Sequence, residues 1–83
     1  MNKNKVFKVL VSILFNEVGV KYAYQFNTAL IKEKILDSLD FMNYITQIEL
    51  LYEIKIPDTD IFQYQLGNME NMVNYIINKK HTS

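Results

Sequence analysis

The chain has 83 residues, nine Lys against nine acidic residues, no Arg, no Cys and one His. That length suits one domain spanning 1–83, with an ordered helical core over about 5–78, and the apolar half of the composition (49%) can build its core. The lack of Cys excludes a disulfide framework and a cysteine nucleophile, the lone His81 falls in a polar tail (His81-Thr82-Ser83), and zero net charge lacks the footprint of a nucleic-acid binder.

Lys3 and Lys5 precede an apolar run, as in a secretory signal. Lys8 interrupts that run, however, and Asn16-Glu17 stands where small cleavage-site residues belong. The run is also too short to cross a bilayer, so stable membrane insertion is not expected. The spacing of Val6, Leu10, Ile13 and Leu14 predicts an amphipathic helix over 3–17, with Gly19 as its terminator. Residues 20–36 have no clear period. Tyr22, Tyr24 and Phe26 alternate as in a strand but find no partner run nearby, so a long connection covering the core with its aromatics is expected.

The clearest helix runs over 37–53. At about 100° per residue, Phe41, Tyr44, Ile45, Ile48, Leu51 and Tyr52 fall in one sector of about 120°, a core-facing stripe. Asp37 is a good N-cap, Asp40 suits the positive end of the helix dipole, and Pro57 stops the pattern. Beyond it, Asp58-Thr59-Asp60 offers a cap for a short turn carrying Ile61, Phe62, Tyr64 and Leu66. Asn68 then caps a last helix with Met69, Met72, Val73, Tyr75, Ile76 and Ile77 at helical spacing, and Lys79-Lys80 suits its C-terminal end. The fold class expected is all-α, with three main helices and one short one.

The second helix carries more apolar residues than its stripe requires. Leu39, Met42 and Leu50 point away from the stripe, among Asn43, Thr46 and Gln47. They form a docking surface, or else the 20–36 connection covers them. Ser38, at the first turn, either shares the capping role of Asp37 or does something more.

Asp37-Ser38-Leu39-Asp40 resembles the attachment motif of acyl carrier proteins, whose serine bears a 4'-phosphopantetheine arm. The stretch from Asp37 to Asp58, ending in Ile56-Pro57-Asp58, looks like that family's second helix and the Ile-Pro-Asp after it. Asn16-Glu17-Val18-Gly19-Val20 is similar to the close of its first helix, and Gly67-Asn68-Met69 through Tyr75-Ile76 to its last. The resemblance implies a small four-helix bundle of the acyl carrier type and a cytoplasmic monomer. It implies a protein that is not itself an enzyme, holding an acyl or aminoacyl group as a thioester on the arm at Ser38. Asp37 and Asp40 would aid recognition by a phosphopantetheinyl transferase. An acyl- or aminoacyl-loading ligase and a downstream synthase or transferase of fatty acid, polyketide or nonribosomal peptide biosynthesis would be the other partners. An unmodified interaction module with the same fold is the alternative.

The departures are informative. Ile35 replaces a glycine often found three residues before the serine, and Leu36-Asp37-Ser38-Leu39 is closer to D-alanyl and stand-alone peptidyl carriers. Asn43, Leu50 and Leu51 stand where fatty-acid carriers often have acids. Partner contact through Leu39, Met42 and Leu50 is therefore expected to be apolar rather than electrostatic.

Overall fold

The first helix, α1, covers Lys3–Ser12, and the Oδ1 of Asn2 accepts the Asn4 and Lys5 N–H groups to cap it. A computed structural model describes residues 1–82; Ser83, the end of the expected polar tail, lies outside the described residues. The helix expected over 3–17 changes character halfway: Ile13–Val18 winds as a π-helical turn. Gly19 closes it at φ 82, and the Gly19 and Val20 N–H groups both donate to Leu14 O. The wider turn has a packing consequence, because it rotates the apolar stripe partway along. Its α1 portion packs on α4 and its π portion on α2.

Helix α2 runs Ser38–Tyr52, α3 Asp58–Gln63 and α4 Met69–Thr82. The architecture is all-α with four helices, and among the described residues the only β-type pairing is one isolated bridge, Ala29 to Asn68. Among the described residues no helix is long and apolar enough to cross a membrane. The core draws Val6, Leu10, Ile13 and Leu14 from the first segment, Phe41, Tyr44, Ile45 and Ile48 from α2, and Met69, Met72, Val73, Tyr75 and Ile76 from α4.

The connection over 20–36 is an irregular segment folded into the core. Tyr24 is buried and stacks edgewise on Phe15, and Phe26 does the same on Phe7, while Tyr22 stays exposed. The larger anchors are two leucines the periodicity did not single out, Leu30 and Leu36. Thr28 organises this stretch: its Oγ1 accepts the Gln25 N–H, and its carbonyl accepts the Met69 N–H. The Leu30 N–H donates to Gly67 O, so the connection is stitched to the start of α4.

One expectation for α2 needs correction. Leu51 belongs to the edge of the predicted stripe and is 59% exposed, because α1 and its π turn flank it without covering it. The helix ends where the 37–53 span predicts, because Glu53 adopts a left-handed conformation (φ 56) and the Glu53 and Ile54 N–H groups both close on Glu49 O. Glu49 Oε2 then accepts the Ile56 N–H, which folds the linker back so that Ile56 is buried. The cap of α3 differs too: Pro57 holds the N-cap position with no side-chain bond, and Asp60 turns toward α4. For α4 the Asn68 cap is as expected, its Oδ1 accepting the Asn71 N–H. The helix continues past Lys79 to Thr82, so His81 lies in its last turn rather than in a loose tail. Lys80 reaches across to donate to Tyr52 O, placing its charge at the negative end of α2.

Candidate functional site

The start of α2 is built for exactness of position by its neighbours on both sides. Leu36 before the cap and Phe41 in the first turn are both buried in the core, the two positions of a hydrophobic staple. Between them, Asp37 adopts the extended conformation of an N-cap, and its Oδ1 accepts the Asp40 N–H at 2.8 Å. Ser38 is therefore the first helical residue. It takes no part in capping: its side chain is exposed and makes no hydrogen bond among the described residues. Replacing Asp37 by Ala is expected to cost about 1 kcal/mol in urea unfolding, the usual value of an N-cap oxygen, while leaving the fold in place.

Ser38 opens on a cleft of about 500 Å³ between α2, α3 and the 20–36 connection. Phe41 and Met42 line it from α2, Ile61 and Phe62 from α3, and Ile31 and Gly67 complete the lining. Ser38 and Asp58 are its two polar residues, so the serine hydroxyl stands at the rim of an otherwise apolar trough. Phe62 is 84% exposed, too much for a core residue of so small a protein. The sequence pattern places Ile61 and Phe62 together in one short turn; that they face Ser38 depends on the path from Pro57 to Gly67.

The predicted site residues divide into two groups. Leu39 and Met42 flank Ser38 and are both exposed, so the 20–36 connection does not cover them. Asp37 and Asp40 lie in the same turn, and Asp40 is near enough to Tyr24 that, after burial, its charge is a second cause raising that phenol's pKa above the ordinary value. Leu50 is equally exposed but is separate. It stands about 12 Å farther along the helix than Met42, at a rise of about 1.5 Å per residue. There it borders a shallow depression with Thr46, Glu49, Glu53, Ile54 and Lys55. The three apolar residues are thus all exposed, with Leu39 and Met42 beside Ser38 and Leu50 toward the other end of the helix.

Around Ser38 the charged side chains in its own turn and across the cleft are carboxylates, Asp37, Asp40 and Asp58. Among the described residues no group of three or more His, Asp or Glu side chains is placed to hold a metal ion. The arrangement can present a free hydroxyl and lodge an apolar group beside it. No protein-family model matches the chain, and no solved structure matches it.

Proposed function

We propose that the chain is an acyl carrier, with a bundle of the acyl carrier type and a 4'-phosphopantetheine arm on Ser38. The observation that carries this reading is the position of the serine: first residue of a well-capped helix, exposed, free of hydrogen bonds and at the rim of an apolar cleft. A phosphodiester there would meet the unpaired N–H groups and positive dipole end of α2. Repulsion from Asp37, Asp40 and Asp58 is screened in water to about 1 kcal/mol or less per charge. No base is needed in this chain, because a separate phosphopantetheinyl transferase would activate the hydroxyl and supply the arm from coenzyme A. The arm brings the thiol that the sequence lacks, and an apolar acyl group carried on it can rest between Met42 and Phe62.

In this reading the protein is not itself an enzyme. It passes its thioester between a loading ligase and a downstream synthase or transferase. Leu39 and Met42 beside the arm supply the apolar contact for those partners. The test is intact mass after incubation with coenzyme A and a broad-specificity phosphopantetheinyl transferase. Wild-type protein is expected to gain one phosphopantetheine, and Ser38→Ala none while keeping its helical circular dichroism. No gain on the wild type, or a gain that persists in Ser38→Ala, refutes the assignment; the first result favours an unmodified interaction module.

A further inference from the structure

Helix α3 has two sides with different tasks. On one side Asp58, Ile61 and Phe62 border the Ser38 cleft; on the other, Asp60 faces α4. The helix is only six residues long, and none of its side chains is fully buried. A helix this short has no stability of its own and is held by what it touches. Its apolar hold is modest, since Ile61 is half-buried and Phe62 lies in solvent.

What it touches on the α4 side is polar and specific. Tyr75 Oη donates to Asp60 Oδ2 at 2.6 Å, a short bond to a carboxylate, which is stronger than one between neutral groups. The Tyr75 ring is itself fixed, buried from α4, tilted against Tyr64 and covered by Lys79 Nζ at 5.6 Å from the ring centre. Asn71 Nδ2 donates to Gln65 O and ties the exit of α3 to α4. These groups border a depression of about 370 Å³, but Asp60, Tyr75 and Asn71 are engaged with one another or with the backbone. Their pairing suits an attachment between helices better than a ligand site. The segment is bounded by Pro57 on one side and by Gln65, in a left-handed conformation at φ 50, on the other.

We propose that Asp60 and Tyr75 are positioning residues that latch α3 to α4 and so set the width of the apolar cleft beside Ser38. Closed, the latch holds Ile61 and Phe62 opposite Met42; released, the wall swings from Pro57 and the cleft loses its shape. The use of the cleft as a seat for cargo rests on the carrier reading, but the latch is a property of the unmodified chain and is tested on it.

The experiment uses nitrogen-15 relaxation dispersion and n-decanol as an apolar probe. In wild-type protein, decanol is expected to shift the resonances of Ser38, Met42 and Phe62. In Tyr75→Phe, which removes one oxygen, amides of Ile61, Phe62 and Leu66 are expected to gain millisecond exchange while Ile45 and Ile48 do not. Decanol affinity should fall at least threefold. Asp60→Ala should reproduce both effects, and Asp60→Asn, which keeps an acceptor for Tyr75, should restore wild-type affinity. Absence of decanol shifts in the wild type, unchanged affinity in Tyr75→Phe, or exchange spread equally over α2 overturns the proposal. A failure of the carrier reading shows instead as a missing arm on Ser38 and leaves both readouts intact.

Discussion

Leu30→Ala is expected to destabilise the protein by about 3–4 kcal/mol, as much as truncating a leucine in the centre of a helix. Leu30 has no accessible surface although it sits in an irregular connection. Removing three of its carbons forfeits their transfer free energy and leaves a cavity beneath a segment held by the Leu30 N–H bond to Gly67 O and the Met69 N–H bond to Thr28 O. At roughly 0.05–0.15 kcal/mol per residue, a chain of this size has about 4–12 kcal/mol in total, so this one change removes a large share. Its neighbour Ile31 is 44% exposed, and Ile31→Ala should cost about 1 kcal/mol or less by the same measurement, urea unfolding followed by circular dichroism. A loss below 1 kcal/mol for Leu30→Ala would mean that the connection is a loose cover and not part of the core.

Raising the pH should unfold the protein, and Tyr44→Phe should delay that unfolding. Tyr44 is fully buried beside Phe41, and its hydroxyl is a buried polar atom with no hydrogen-bond partner among the described residues. Burial first, and the nearby Tyr24 second, push its pKa far above the ordinary tyrosine value of 10.0. Tyr75 is shifted the same way by burial and then by its bond to Asp60, and Tyr24 and Tyr52 are raised as well. In the unfolded chain these phenols ionise near the ordinary value, whereas the fold keeps them neutral. The unfolded state therefore binds fewer protons above that pH, and stability falls as pH rises. Below it their contribution is fully present, so the curve should be flat through neutrality and drop beyond pH 10.0, the ordinary value of the phenol.

At pH 7 most Tyr→Phe changes in a core lose a hydrogen bond worth about 1 kcal/mol. Here there is no bond to lose, and a buried unsatisfied hydroxyl itself costs about 1–3 kcal/mol. Tyr44→Phe is thus expected to be neutral or stabilising at pH 7 and to move the alkaline midpoint upward. Destabilisation at pH 7 by 1 kcal/mol or more would show that the hydroxyl has a partner in solution, such as a trapped water.

Much of the helical framework was readable from local chemistry. Asp37 and Asn68 were legible as caps because a short side-chain acceptor before an amphipathic run has one dominant use. Gly19 was legible as a stop because the positive φ it adopts is costly for other residues. The exposure of Leu39, Met42 and Leu50 followed from the same wheel that placed Phe41, Tyr44, Ile45 and Ile48 inward. Periodicity failed where no period exists. Leu30 and Leu36 are as buried as the residues of α2 but sit among turns, which carry no repeat to reveal which side chain points inward. Leu51 failed for the opposite reason, since a wheel assumes that whatever faces the core is covered along the helix's full length.

The candidate site shows the same division. That residue 38 opens a helix is decided within the tetrapeptide Asp37-Ser38-Leu39-Asp40, by a hydrogen bond spanning three residues, whereas the sequence left open whether its hydroxyl shares in the cap. That this hydroxyl borders an apolar cleft, that Phe62 stands across from Met42, and that Tyr75 holds Asp60 on the far side of α3 are facts about residues far apart in the chain. Caps and amphipathic faces arise from interactions within a turn or two, so the chain alone specifies them. Which walls meet across a gap depends on how the connections at 20–36 and 53–57 are drawn into the core, and only the packed tertiary structure sets that.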